Sequence, residues 1–351
     1  MDSRFSLESG CFSRRDEVNR ASAEAWGVEP NRVYTSYEAM LDGERERLDA
    51  VVVLTPVGDH ATMIEHCLEH GYNVISEKPL TGSVAECKRI ANALHKSNQF
   101  LSVTFNYTGY PMVRELRQRV QRGDFGNVHA VRLTMQQEGF SRLGADGKPM
   151  SPQTWRLQDG EIPTVSLDLG THVVHLLEYV AGKTPVEVMS RMNSFGNFPN
   201  VIDDVDMSFN CADGSFAHAW WSKSALGHSN GLSVELFGSE GSARWVQVDP
   251  EVLILRDIGG METRIHRGSR GIMVANEPRY NRFKAGHPSG FIEAFANCYW
   301  DMADGLDEHV TSGIANNDLV FGIGHSMRTL KILEAGSHAA RSRTWESVKL
   351  N

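Results

Sequence analysis

Two short stretches carry side chains whose types and spacing could do chemistry. In "YNVISEKPL", a β-prone run from Tyr72 stops at Glu77, Lys78 and Pro79. Proline disfavours the helical region for the residue before it, so Pro79 should keep Lys78 extended. An ammonium held at a strand end can donate to a substrate hydroxyl or stabilise a developing alkoxide; a solvated surface lysine is the plainer reading. In "LDLGTHVVHLL", the spacing puts Asp168, His172 and His175 on one face of a helix. A carboxylate beside an imidazole makes a general acid/base pair. The same spacing fits an N-capping Asp168 with two packed histidines, or a metal site of Asp168, His172 and His175, although no HExxH accompanies it.

The elements that must position these residues are legible from periodicity. Phe5–Phe12 reads as a strand and "RRDEVNRASAEAWG" as the helix after it. "DAVVVLTP" is a nearly continuous β-branched run, as expected of a parallel strand covered on both faces. "ATMIEHCLEHG", "YNVIS", "SVAECKRIANALHKS" and "FLSVTF" continue the strand-helix rhythm. The first 109 residues therefore predict an α/β domain with a doubly wound parallel sheet. Ligands of such sheets bind beyond the carboxyl ends of the strands, which selects Thr55 to His60 and Glu77 to Pro79.

Beyond Tyr110 the rhythm is lost. "GNVHAVRLTMQQEGF" reads as a strand, "TVSLDLGTHVVHLLEYVAG" as a helix, and several strand-like runs follow between Pro185 and Arg256. Residues 110–351 predict an α+β domain with a large, mostly antiparallel open sheet. In it, Asp203, Asp204 and Asp206 alternate along a strand and read as a solvated face rather than a glycosidase pair.

Composition narrows the function classes. The 351 residues carry a formal charge of −9, without a stripe of Lys and Arg, which argues against a nucleic-acid surface. The five cysteines are widely spaced with no CxxC, so neither a disulfide framework nor a zinc ribbon is expected. No apolar run reaches the ~18 residues of a membrane helix. A cytoplasmic protein is the expectation.

Taken together, "VVVLTPVGDHA", "HGYNVISEKPL", "FNYTGYPMVRELR", "TWRL", "SLDLGTHVVHLLEYVAG" and "HPSGFIEAFAN" resemble the glucose-fructose oxidoreductase, inositol dehydrogenase and rhizopine-catabolism family. The resemblance implies a Rossmann-like domain binding NAD or NADP, a sugar, inositol or related polyol as substrate, and a homodimer or homotetramer formed through the C-terminal sheet. It implies that Lys78 contacts the nicotinamide ribose and a substrate hydroxyl, and that Asp168 and His172 complete the catalytic set. His172 would take the proton of a secondary alcohol while hydride leaves the same carbon, and Asp168 would hold the ring. Thr55, Pro56 and His60 match the loop beside the cofactor; Glu77 lies beside Lys78 at the strand end. Trp155 and Arg156 match a segment near the nicotinamide. Asn106 and Tyr107 end a strand where polar groups would meet cofactor or substrate. His175 is a further substrate candidate. So is His287, in a region that borders the pocket in relatives, although capping by Ser289 also accounts for that stretch.

The sequence departs from the family at its start. No G-x-G-x-x-G follows a first strand, and "FGIGHS" at Gly322 and Gly324 lacks the third glycine. The chain is therefore expected to lack the first strand-helix unit, roughly thirty residues. Where NAD enzymes place an acid against the ribose 2′-hydroxyl, the residues here are Ser13 and Arg14, which tilts the expectation toward NADP or dual use. Two rival functions stand beside the dehydrogenase: a binding or regulatory member that has lost catalysis, and a metal-dependent hydrolase or isomerase.

Overall fold

The computed structural model describes residues 4–315 and 317–350, and the chain divides into two compact units. The first contains the residues up to Thr81, Ala85–Thr104 and Tyr299–Ile323; the second contains Gly82–Val84, Phe105–Cys298 and the residues from Gly324 onward.

In the first unit, helices α1 (Asp16–Ala25) and α2 (Tyr37–Gly43) precede strand β1 (Ala50–Val53), helix α3 (Val57–Glu69), strand β2 (Asn73–Glu77), helix α4 (Val84–Ser97) and strand β3 (Leu101–Thr104). The strands form a three-stranded parallel sheet in the order β1-β2-β3. Val74, Ile75 and Ser76 of central β2 are fully buried, which is why the run reads as continuously β-prone rather than alternating. Helix α3 lays His60, Ala61, Ile64, Cys67 and Leu68 inward, a stripe at helical spacing, against β1 and β2.

The strand expected over Phe5–Phe12 is a correction. Only Gly10 forms a bridge, with Val33. Ser9 Oγ and the Gly10 N–H donate to the carbonyl of Arg32, and at the end of the stretch buried Asn19 accepts the N–H groups of Phe12 and of Ser13 beyond it and donates to the carbonyl of Tyr34. An amide that satisfies the backbone in this way replaces a ladder.

The second unit opens with helix α5 (Pro111–Arg122), strand β4 (Val128–Gln136) and helix α6 (Thr171–Ala181). Proline at the first helical position and Gly123 at φ 86° just past the last residue bound α5. Strands β5 (Pro185–Asn193), β6 (Asp204–Cys211), β7 (Phe216–Ser222), β8 (Ser233–Gly238), β9 (Gly241–Val246), β10 (Val252–Asp257) and β11 (Glu262–His266) follow. Helices α7 (Phe291–Ser312) and α8 (Ile323–Ser342) and the short strand β12 (Glu346–Ser347) end the chain. The nine-stranded sheet has the order β11-β10-β9-β8-β4-β7-β6-β5-β12 and is antiparallel except between β4 and β7. This is the α/β plus α+β class that the sequence predicts. Val205, Met207 and Phe209 of β6 and Ala217, Ala219 and Trp221 of β7 point into the core. Helix α6 packs on β4 and α5.

The three-aspartate strand needs a second correction. Asp203 is fully buried and its carboxylate accepts the N–H groups of Phe195 and Gly196 at 2.9 and 2.7 Å, fixing the loop before β6. Asp204 and Asp206 do lie on the partly exposed face, bonded to Trp220 and His218. All five cysteines are free thiols. Among the described residues no helix is long and apolar enough to cross a membrane, and no group of three His, Cys, Asp or Glu could hold a metal ion.

Candidate active site

In the first unit the expected residues gather at the carboxyl ends of the parallel strands. Pro56 caps α3 immediately after β1, and His60 follows in the first turn. The buried His60 ring spans two strand ends: Nε2 lies 2.7 Å from the carbonyl oxygen of Thr55, and Nδ1 lies 3.1 and 3.3 Å from those of Pro79 and Leu80. His60 thus braces the Lys78–Pro79 step against the turn after β1. Lys78 is half-buried, and its backbone N–H donates to Oε2 of Glu77 at 3.3 Å. Burial pushes the Glu77 carboxyl above the usual carboxylate range, and the charge of Lys78 opposes that shift. Ser13 accepts the N–H of Arg15. Arg14 pairs with Asp59 of α3 at 3.0 Å, leaving its side chain 84% exposed.

In the second unit, the helix predicted over Asp168 and His172 is interrupted. Ser166–Gly170 form a π-helical turn that runs into α6. The turn is seated on Trp221, whose indole N–H donates to Ser166 Oγ at 3.2 Å. A Cβ on Gly170 would sit 2.9 Å from the same ring, so only glycine allows this approach. A π turn inserts a residue and breaks the stacking that α-helical spacing gives, and such turns recur at functional sites. Asp168 therefore reaches Arg156 and Lys223: Arg156 donates to Oδ2, and Lys223 Nζ lies 2.8 Å from the same oxygen. Arg156 also stacks on Trp155, 4.5 Å from the ring centre, and burial lowers its pKa.

His172 is buried, with the Tyr107 ring edge-on at 4.6 Å. Tyr107 and Asn106 lie in a 3-10 turn (Asn106–Gly109) just after β3. Burial raises the Tyr107 phenol to about 12, and its oxygen accepts the Nδ2–H of Asn230 at 3.1 Å. Asn106 Nδ2 is a buried donor with no hydrogen-bond partner among the described residues.

The two remaining residues expected to contact substrate, His175 and His287, have different surroundings. His175 is 1% exposed and stacked on Phe105 at 3.8 Å, near His325 and Tyr179. Desolvation holds its pKa well below the ordinary histidine value, and its ring is packed in the core of the second unit. His287 is exposed; its carbonyl accepts from Arg267. The start of α7 is capped by Glu293, which accepts the N–H of Gly290, rather than by the expected Ser289 side chain.

Sequence reasoning missed Lys223, Gln137 and Asn230. A signal for Lys223 existed: buried Ala217, Ala219 and Trp221 alternate along β7, and Lys223 continues the inward register.

Residues 4–105 match an oxidoreductase family with an NAD-binding Rossmann fold, and residues 113–244 match the GFO/IDH/MocA C-terminal domain. The chain belongs to the GFO/IDH/MocA family of oxidoreductases. Across 91% of its length it is 26% identical to the uncharacterized oxidoreductase YfiI of Bacillus subtilis, covering 84% of that protein. It is 29% identical to an oxidoreductase of Sinorhizobium meliloti, with a TM-score of 0.83 and coverage of 97% of this chain and 91% of that one. The GFO/IDH/MocA fold is also that of an inositol dehydrogenase homolog from Azotobacter vinelandii, solved with NADH and myo-inositol. That pair has a TM-score of 0.88 at 24% identity, over 98% of this chain and 90% of the other.

Proposed function

We propose that this protein transfers a hydride between a nicotinamide cofactor and a secondary hydroxyl of a sugar, inositol or related polyol. The observation that supports this most is the lysine–proline step at the carboxyl end of β2, braced by His60, in a chain of this family. A half-buried ammonium at that edge suits the hydroxyl-rich surface of a ribose and of a polyol. The myo-inositol and NADH bound to the Azotobacter relative suggest the same classes of ligand here.

The residues present fit the ribose and nicotinamide end of the cofactor. In the first unit Thr55, Pro56, Glu77 and Lys78 lie at strand ends where such ligands bind; in the second unit the buried Nδ2 of Asn106 is a donor without a hydrogen-bond partner among the described residues. No glycine-rich turn in the sequence is assigned to the diphosphate. When bound, the cofactor supplies the hydride acceptor or donor. Arg14, exposed beside Asp59, is the group that would meet a 2′-phosphate, so both NAD and NADP are candidates.

The chain's own residues then bind, orient and move a proton. Lys78 donates to the oxygen of the reacting carbon and stabilises it as it becomes an alkoxide. His172 takes the hydroxyl proton on oxidation and returns it on reduction. Asp168, fixed by Arg156 and Lys223, is the carboxylate of the set, and Tyr107 contacts substrate beside His172. The nine-stranded sheet is the surface through which a homodimer or homotetramer would form.

A panel of polyols and sugars incubated with NAD and with NADP tests this reading through formation of the reduced cofactor. Reduction dependent on both polyol and cofactor is expected. Failure of calorimetry to detect either cofactor would leave the binding-protein alternative.

A further inference from the structure

We propose that Lys223 and Asn230 are positioning residues that set the direction of a hydrogen-bond chain ending at Tyr107, so that the Tyr107 phenol offers its proton to an oxygen of a hydroxylated ligand. This rests on the polyol reading above.

The direction follows from donor chemistry. An ammonium has three donors and no acceptor. Lys223 Nζ lies 3.4 Å from Gln137 Oε1, so that amide must turn its oxygen toward the lysine and its NH2 away. Gln137 Nε2 then donates to Asn230 Oδ1 at 3.2 Å. Asn230 in turn has only its NH2 to offer on its far side, and it donates to the Tyr107 oxygen and to Gln247 Oε1, each at 3.1 Å. Gln247 repeats the pattern, donating to the Tyr110 oxygen at 3.0 Å.

The other end of the chain is pinned. Lys223 is bound to Asp168 at 2.8 Å, and both side chains are largely withdrawn from solvent, so the ammonium is fixed where it begins the sequence of bonds. At the near end, the phenol oxygen of Tyr107 acts as an acceptor toward Asn230, and its own proton has no acceptor among the described residues. Tyr107 is only 5% exposed and lies edge-on to His172 at 4.6 Å. Its raised pKa keeps the phenol protonated throughout the neutral range. The ligand must therefore bring an acceptor to this point. A hydroxyl or carbonyl oxygen next to the reacting carbon meets that requirement, whereas a bare methylene there leaves a buried donor unpaired.

The test has two arms. The first is a neutron structure of the deuterium-exchanged wild-type chain. Deuterium on Tyr107 Oη directed away from Asn230 is expected; deuterium directed at Asn230 overturns the proposal, whatever the substrate. The second arm is calorimetric titration of myo-inositol into the NAD-loaded wild type, Asn230→Asp, Tyr107→Phe and the double variant. An aspartate at 230 can only accept, so it should draw the Tyr107 proton inward. Asn230→Asp and Tyr107→Phe should each weaken myo-inositol by about tenfold, and the double variant should bind no more weakly than Tyr107→Phe alone. Wild-type affinity in a folded Asn230→Asp, with weakened binding in Tyr107→Phe, overturns the proposal. A wild type that takes up neither cofactor nor polyol defeats the oxidoreductase reading, and the neutron arm still decides the direction of the chain.

Discussion

Lys223 Nζ lies 2.8 Å from Oδ2 of Asp168, and the guanidinium of Arg156 reaches the same oxygen. Two cations meeting on one shielded carboxylate oxygen define where that carboxylate points. With Lys223 removed, Arg156 still neutralises Asp168, so the loss is that of the lysine's hydrogen bonds to Asp168 and Gln137. Lys223→Met is expected to destabilise the second unit by about 1–3 kcal/mol, with Lys223→Arg losing much less. Urea titrations of the two variants check this, and a Lys223→Met midpoint equal to that of wild type would contradict it.

His175 and His325 should make stability pH-dependent. Burial and neighbouring arginines hold His325 at about 4 and keep His175 well below its ordinary value, so the folded chain binds fewer protons than the unfolded chain. With both folded values depressed, stability is complete above the unfolded value of ~6.5 and falls as the pH drops toward the folded ones, by about 1.4 kcal/mol per pH unit per histidine. Unfolding midpoints between about pH 4.5 and 7 measure the slope, and His325→Phe should roughly halve it.

Lys78→Ala and His172→Ala should each lower turnover by about 10²-fold or more while the fold is kept. Steady-state rates with the best substrate of the panel, beside circular dichroism, separate lost chemistry from lost structure. Retained activity in both variants would refute the roles assigned to them.

Cofactor choice is expected to turn on Arg14. Its exposed guanidinium, paired with Asp59 beside the start of α3, suits a 2′-phosphate. Arg14→Ala should weaken NADP by about tenfold while hardly changing NAD. Equal loss of both cofactors in calorimetry would show that Arg14 does not discriminate between them.

Much of this architecture was legible because each local pattern had one physical meaning. The β-branched run of β1 and the charged stop after β2 marked strand ends, and alternation marked β6. The DxxxH spacing located Asp168 and His172 but not their partners, because a π turn changes direction without changing composition. Helical spacing also grouped His175 with them, although its ring faces Phe105. Phe5–Phe12 has strand composition, but it forms only one bridge, and the N–H at its end goes to the amide of Asn19, a choice that depends on a residue outside the run. Lys223, Gln137 and Asn230 come from separate elements, and only the fold brings them together.

The central claim is hydride transfer from a carbinol carbon. Its most direct test uses the polyol or sugar that the panel selects, deuterated at its carbinol carbons, with wild type and His172→Ala followed by mass spectrometry of the reduced cofactor. The account predicts one deuterium per reduced nicotinamide in wild type and almost none formed by the variant. A panel in which nothing reduces either cofactor, or a reduced cofactor that carries no deuterium, would contradict it.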